Sequence, residues 1–169
     1  MLAVTADGRK LPPYLIFKRK NVPKGKNGEA FPKGVIVRAQ AKGWMTTELM
    51  KDWLQKVWGA RPGALLRLPA MLALDAFRGH LTPEVKSEMR KQKTEMVVIP
   101  AGMTSVLQPL DACINKPFKD KVKAKYNAWI ARDDLEKTNT GKIKRASPFV
   151  VAKWVKEAWD EISEDIVSR

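Results

Sequence analysis

Two short apolar runs separated by one helix-forming stretch constrain this chain more than anything else in it. PAMLALDAF (69–77) is continuously apolar until Asp75, the pattern of a strand buried on both faces. TEMVVIP (94–100) is a second run of the same kind. Between them, RGHLTPEVKSEMRKQK (78–93) starts a helix at Thr82-Pro83, with threonine as cap and proline at the first helical position. Strand, helix and strand in that order predict a right-handed crossover and a parallel pair. The expected fold class is therefore mixed α/β, and an all-helical fold is excluded.

The flanking segments are consistent with it. LAVTA (2–6) and PYLIFK (13–18), joined across Asp7-Gly8, predict an antiparallel hairpin, with Pro12 and Pro13 tolerated only at the start or edge of its second strand. VIVRAQ (35–40) is a third short strand. TTELMKDWLQKVWG (46–59) predicts a helix capped by Thr46 and ended by Gly59, with Leu49, Met50, Trp53, Leu54, Val57 and Trp58 on one face. ARPGALLRLP (60–69) is a linker. Further on, Leu110, Ile114, Phe118, Val122, Tyr126 and Ile130 recur every four residues, which predicts an amphipathic helix that Pro117 should kink or split. SPFVVAKWVKEAWDEI (147–162) is the clearest helix, with Ser147 as cap and Pro148 at its first position.

At 169 residues, 44% apolar and with six tryptophans, the chain is expected to bury one core, so residues 1–169 are assigned to a single domain and disorder is excluded. No stretch approaches the ~20 apolar residues of a membrane span. The segment MLAVTADGRK has neither the basic nor the apolar region of a secretory signal. Cys113 is the sole cysteine, which points to a reducing, intracellular compartment and to a small packing residue rather than a nucleophile. The net charge is +14, from 32 Lys and Arg against 18 Asp and Glu, which favours a polyanionic partner.

Against that basic background Asp75 and Asp111 stand out. A carboxylate at the end of an apolar strand has to be exposed, paired or bound to a metal. Asp111 opens the next helix, where the dipole favours an anion. The parallel crossover brings both segment ends to one edge of the sheet, where open α/β sheets place their ligand crevice. Two accounts remain open from the residues alone. Asp111 caps its helix and Asp75 closes a turn, or the two meet at a Mg²⁺ or Mn²⁺ ion that takes further ligands from phosphates. His80, the only histidine, sits five residues beyond Asp75 and is read as a loop or cap residue, not a ligand.

LALDAFRGHLTPEVK together with IPAGMTSVLQPLDACINKPFK resembles the catalytic core of the pogo/Tigger branch of the DDE/D transposase superfamily. ADGRKLPPYLIFK, GWMTTELMKDWL and SPFVVAKWVKEAWDEI resemble its flanking segments, so the likeness covers nearly the whole chain. It implies a ribonuclease-H-like fold with C-terminal helices, and phosphodiester cleavage and strand transfer with divalent metals. Asp75 and Asp111 then match the second and third catalytic, metal-binding acidic residues, with residues 76–110 between them. The family's first aspartate lies on a central strand upstream of the hairpin, and Asp7, in its Asp-Gly turn, does not replace it. The expectation is a ribonuclease-H-like domain lacking that strand, catalytically incomplete, with exposed sheet edges that favour self-association or a protein partner.

The resemblance also makes DNA the expected partner and the nucleus the expected compartment. Lys18, Arg19 and Lys20, with Lys24 and Lys26, cluster in a basic loop over 18–34 that is expected to be mobile. Lys116, Lys119, Lys121, Lys123 and Lys125 follow Asp111, and Lys142, Lys144 and Arg145 fall in a second basic loop over 135–146. These groups are candidates for sequence-independent, salt-sensitive contacts to a DNA backbone, or for solvated faces. Two alternatives stand beside the incomplete domain: an active nuclease when the first aspartate is supplied, and a non-enzymatic protein-interaction module.

Overall fold

A computed structural model describes residues 1–25, 28–66, 68–103, 108 and 110–167. Its four strands are β1 (Tyr14–Lys18), β2 (Ile36–Gln40), β3 (Ala70–Asp75) and β4 (Thr94–Ile99). The helices are α1 (Thr47–Lys56), α2 (Pro83–Lys91), α3 (Asn115–Ile130), α4 (Pro148–Asp160) and the single turn α5 (Glu164–Val167). The fold is mixed α/β. Lys26 and the residues just ahead of Asp111 (104–107 and 109) lie outside the described set.

The crossover forms as expected: β3 and β4 are parallel, with Ala70 opposite Thr94 and Asp75 opposite Ile99. Thr82 caps α2 by accepting from the Val85 N–H, and Pro83 sits in its first turn. Burial on both faces does not occur. Leu72 and Leu74 point into the core, whereas Met71 is 65% exposed and Ala73 is exposed. The reason is layering. The face of the β3–β4 sheet that carries Leu72 and Leu74 packs with Met50, Trp53 and Leu54 of α1 and Val85 and Met89 of α2, and the face carrying Met71 and Ala73 is open.

The expected hairpin is shortened. Gly8, at φ 86°, turns the chain between Thr5 and Arg9, and the arms meet through Leu11 N–H to Ala3 C=O at 2.9 Å and the Val4–Lys10 bridge. Pro12 and Pro13 have no N–H to give the ladder, which resumes only at Tyr14, whose N–H and C=O exchange bonds with Met1 at 3.0 and 2.7 Å. On its other edge the run 14–18 pairs with β2, in parallel, from Tyr14–Ile36 to Lys18–Gln40. Asp52 of α1 locks this pair to the helix, accepting from the Tyr14 hydroxyl (2.7 Å) and from Arg38 Nε and Nη2 (2.8 and 3.0 Å). The loop after β1 is anchored where Phe31 stacks on Phe149 of α4 at 4.4 Å.

α1 stops at the Val57 cap rather than at Gly59, which lies in a short 3-10 turn (Trp58–Ala60) without the positive φ of a helix-ending glycine. The helix does change geometry next to Pro117, as expected: a wide π turn, Leu110–Ile114, runs directly into α3, and the proline lies just past that junction. That turn buries Ile114 and leaves Cys113 exposed, so Cys113 is not a packing residue. A four-residue repeat also advances about 40° per step on a 3.6-residue helix. Tyr126 and Ile130 have accordingly rolled outward to 44% and 37% exposure. Ile114 instead packs with Trp159 and Ile162, while Lys10 caps the end of α4 through the carbonyls of Trp159 (2.7 Å) and Ile162 (2.6 Å).

Candidate active-site groove

The strand pairs β1–β2 and β3–β4 share no hydrogen bond among the described residues. A groove of about 850 Å³ is lined by residues 1–7, by Trp53 and Trp58, by β3 from Met71 to Asp75, and by Gln108, Leu110, Asp111 and Asn115. Ala70 donates to the Lys93 carbonyl, so in a parallel ladder Ala70, Leu72 and Leu74 direct their backbone groups at β4. The N–H and C=O of Met71, Ala73 and Asp75 then face the groove. Trp53 Nε1 and Gln108 Oε1 are buried with no hydrogen-bond partner among the described residues, and both residues line it.

Asp75 and Asp111 therefore come together in one groove although they lie on different elements. Asp75 ends β3, and one of its oxygens accepts from His80 Nδ1 at 2.9 Å and from the Phe77 N–H at 3.3 Å. His80, 9% exposed, is held edge-on against Phe77 at 5.3 Å. Gly79 permits this packing, since a Cβ there would stand 2.8 Å from the Phe77 ring. The sequence gives His80 no role at the site. Its proximity to Asp75 along the chain was the available signal, and the tight Arg78–His80 turn is what makes it count. Asp111 lies in the π turn and accepts from the Asn115 side chain. It is not a helix cap of the ordinary kind, because α3 begins four residues later.

The donor set suits a hard divalent ion that keeps most of its water. Two carboxylates facing one groove supply what Mg²⁺ ordinarily takes from protein, with the remaining ligands from water or phosphate. Among the described residues no group of three or more His, Cys, Asp and Glu is clustered to hold an ion alone. Asp7 also lines the groove, but its carboxylate is engaged by the Thr5 hydroxyl and by Arg9 at 3.2 Å. The Thr5 hydrogen bond, ahead of Arg9, holds Asp7 below the usual carboxylate range.

The lysines divide. Lys121 and Lys125 of α3 face α4, pairing with Glu161 at 3.2 and 2.8 Å, and Lys125 also reaches Glu157 at 3.1 Å. Lys116, Lys119 and Lys123 share the helix face set by three- and four-residue steps, are exposed, and have no ion-pair partner among the described residues. Asp120 is exposed on the same side. Lys18, Arg19 and Lys20 are exposed at the end of β1. Lys144 pairs with Glu136 at 2.8 Å in the second basic loop. No helix is long and apolar enough to cross a membrane among the described residues.

A mixed α/β domain that gathers two strand- and helix-end carboxylates in an open groove is the kind of frame on which metal-assisted phosphodiester chemistry is built. The chain belongs to the DDE superfamily endonuclease family, whose model matches residues 1–169. It is 44% identical over 167 residues to the human and mouse proteins named "Pogo transposable element with KRAB domain", covering 99% of this chain and 27% of each relative. It is 34% identical over 126 residues to the human "Pogo transposable element with ZNF domain", covering 75% of this chain and 9% of that protein. The chain thus spans about a quarter of the length of the first two relatives. No solved structure matches it.

Proposed function

We propose that this chain is a transposase-derived endonuclease domain of ribonuclease-H-like topology that engages DNA in the nucleus and that, as residues 1–169, is catalytically incomplete. The observation that carries this is the convergence of Asp75 and Asp111 on one groove. In this reading Asp75 and Asp111 would hold Mg²⁺ or Mn²⁺, whose chemistry when bound would be to activate a nucleophile and to offset the charge on the displaced oxygen. His80 fixes the orientation of the Asp75 carboxylate. Lys116, Lys119 and Lys123, with Lys18, Arg19 and Lys20, contact DNA phosphates without reading bases. Lys121 has its charge balanced by Glu161 and serves mainly to dock α3 on α4.

Incompleteness follows from the ligand count and from the shape of the groove. Two-metal chemistry uses more than the two carboxylates gathered here. The edge of β3 left unpaired among the described residues, and the Trp53 and Gln108 atoms without a partner among them, suit one more strand; the family resemblance makes it the strand that carries the first acidic residue. This supports the second reading, an active nuclease once such a strand is seated.

Thermal unfolding with and without Mg²⁺ or Mn²⁺ tests the site, on the chain and on Asp75→Ala and Asp111→Ala, after circular dichroism has shown all three folded. A metal-dependent rise in Tm, lost in both variants, is expected. No rise in the folded parent overturns the metal site. Metal-dependent nicking of plasmid DNA by the chain alone overturns its incompleteness.

A further inference from the structure

A second groove, of about 570 Å³, runs along the outer edge of β4 and is independent of the carboxylates. β4 pairs only with β3 among the described residues. By the ladder described above, Glu95, Val97 and Ile99 direct their backbone groups at β3. Thr94, Met96 and Val98 direct theirs outward. Those three residues line the groove, so its floor is a row of amides and carbonyls unpaired among the described residues, beside half-buried Met96 and exposed Val98.

Its rim is cationic. Lys86 and Arg90 of α2 and Lys93, whose left-handed backbone (φ 49°) turns the chain into β4, all line the groove. None has an ion-pair partner among the described residues, while their neighbour Lys91 is matched by Glu88 at 3.6 Å. One acid, Glu95, stands against the three cations. Natural proteins protect an edge strand with charge, and lysines do that anywhere along it. Here the cations surround an apolar-lined concavity, which makes it selective rather than merely repulsive.

We infer that the outer edge of β4 is a docking site for an acidic, extended peptide segment of a partner protein, which adds to the sheet as a fifth strand. Backbone hydrogen bonds to Thr94, Met96 and Val98 supply affinity. Apolar side chains on alternate positions lie over Met96 and Val98, and carboxylates between them meet Lys86, Arg90 and Lys93. A DNA backbone satisfies the cations but leaves the outward amides and the apolar floor unused, so the peptide is the better match.

The test is fluorescence anisotropy of the 169-residue chain with a labelled peptide of about eight residues alternating Val and Glu. Its counterparts are the same peptide N-methylated on alternate amides and a labelled DNA duplex. The acidic peptide should bind, N-methylation should abolish binding, and Lys86→Glu with Arg90→Glu should weaken it at least tenfold. Val98→Pro removes an outward N–H and spares the bonds to β3, so it should fold and lose the peptide; because it also alters the apolar floor, and if it does not fold, the N-methylated peptide carries the comparison of the backbone bond alone. Equal binding of the N-methylated peptide, indifference to charge reversal, or binding of the duplex but not the peptide each overturns the inference. None of these outcomes touches Asp75, Asp111 or the metal response, so the two proposals fail separately.

Discussion

Replacing Asp52 by Asn should loosen the β1–β2 pair from α1, the helix whose Trp53 lines the carboxylate groove. Asp52 accepts three hydrogen bonds, two from Arg38 and one from Tyr14. Hydrogen bonds to a charged group contribute about 1.5–3 kcal/mol each when shielded. Asp52 and Arg38 keep 28% and 32% of their side-chain exposure, which moves the total toward the lower end. Asn keeps one acceptor oxygen and turns its amide toward Arg38, so a loss of about 2–3 kcal/mol is expected. For a chain of this size that lowers Tm by about 4–12 °C. The pH dependence discriminates further. Burial raises the Asp52 pKa, but Arg38 and Tyr14 together more than offset it, and the folded carboxyl titrates below its ordinary value of 3.8. Its contribution is therefore fully present above that value and is lost as pH falls through the lower folded pKa. Tyr14, raised first by burial and then by its bond to Asp52, remains a donor throughout. Urea unfolding of parent and variant at neutral pH and again near pH 2 reads both effects. An equal gap at the two pH values, or no gap at neutral pH, would refute the assignment of the energy to this carboxylate.

Three further outcomes follow from particular contacts. Reversing Lys116, Lys119 and Lys123 to Glu should weaken duplex binding and flatten the slope of log K against log salt by about 3, at about 0.9 per lost phosphate contact. Lys121→Ala with Lys125→Ala should lower Tm and leave that slope unchanged, and the reverse pattern would assign the DNA face to the wrong side of α3. Trp58 Nε1 donates to Thr94 Oγ1 at 2.8 Å between buried side chains. A double-mutant cycle of Trp58→Phe and Thr94→Val in urea should give a coupling of about 1 kcal/mol, and a coupling near zero would mean that packing alone holds Trp58.

What could be read along the chain and what could not divides by the range of the interaction. Thr46, Thr82-Pro83 and Ser147-Pro148 act within one turn, and each opens the helix it was expected to open. Met50, Trp53, Leu54 and Val57 lie on one α-helical face and are fully buried. The second partner of β1 was not legible, because its parallel pairing with residues 36–40 is held by Asp52, on a helix more than thirty residues on. Nor was the one-sided burial of β3, since an apolar run does not say how many layers will cover it. The site shows the same division. The crossover predicts that Asp75 and Asp111 reach one sheet edge, and both line the groove. His80 joins them only because Gly79 lets the Arg78–His80 turn pack on Phe77. The division of five lysines into a docking face and a free face depends on where Glu157 and Glu161 fall, on a helix a loop away. A sequence places charges on elements; which of them remain available for a partner is settled by the element packed opposite.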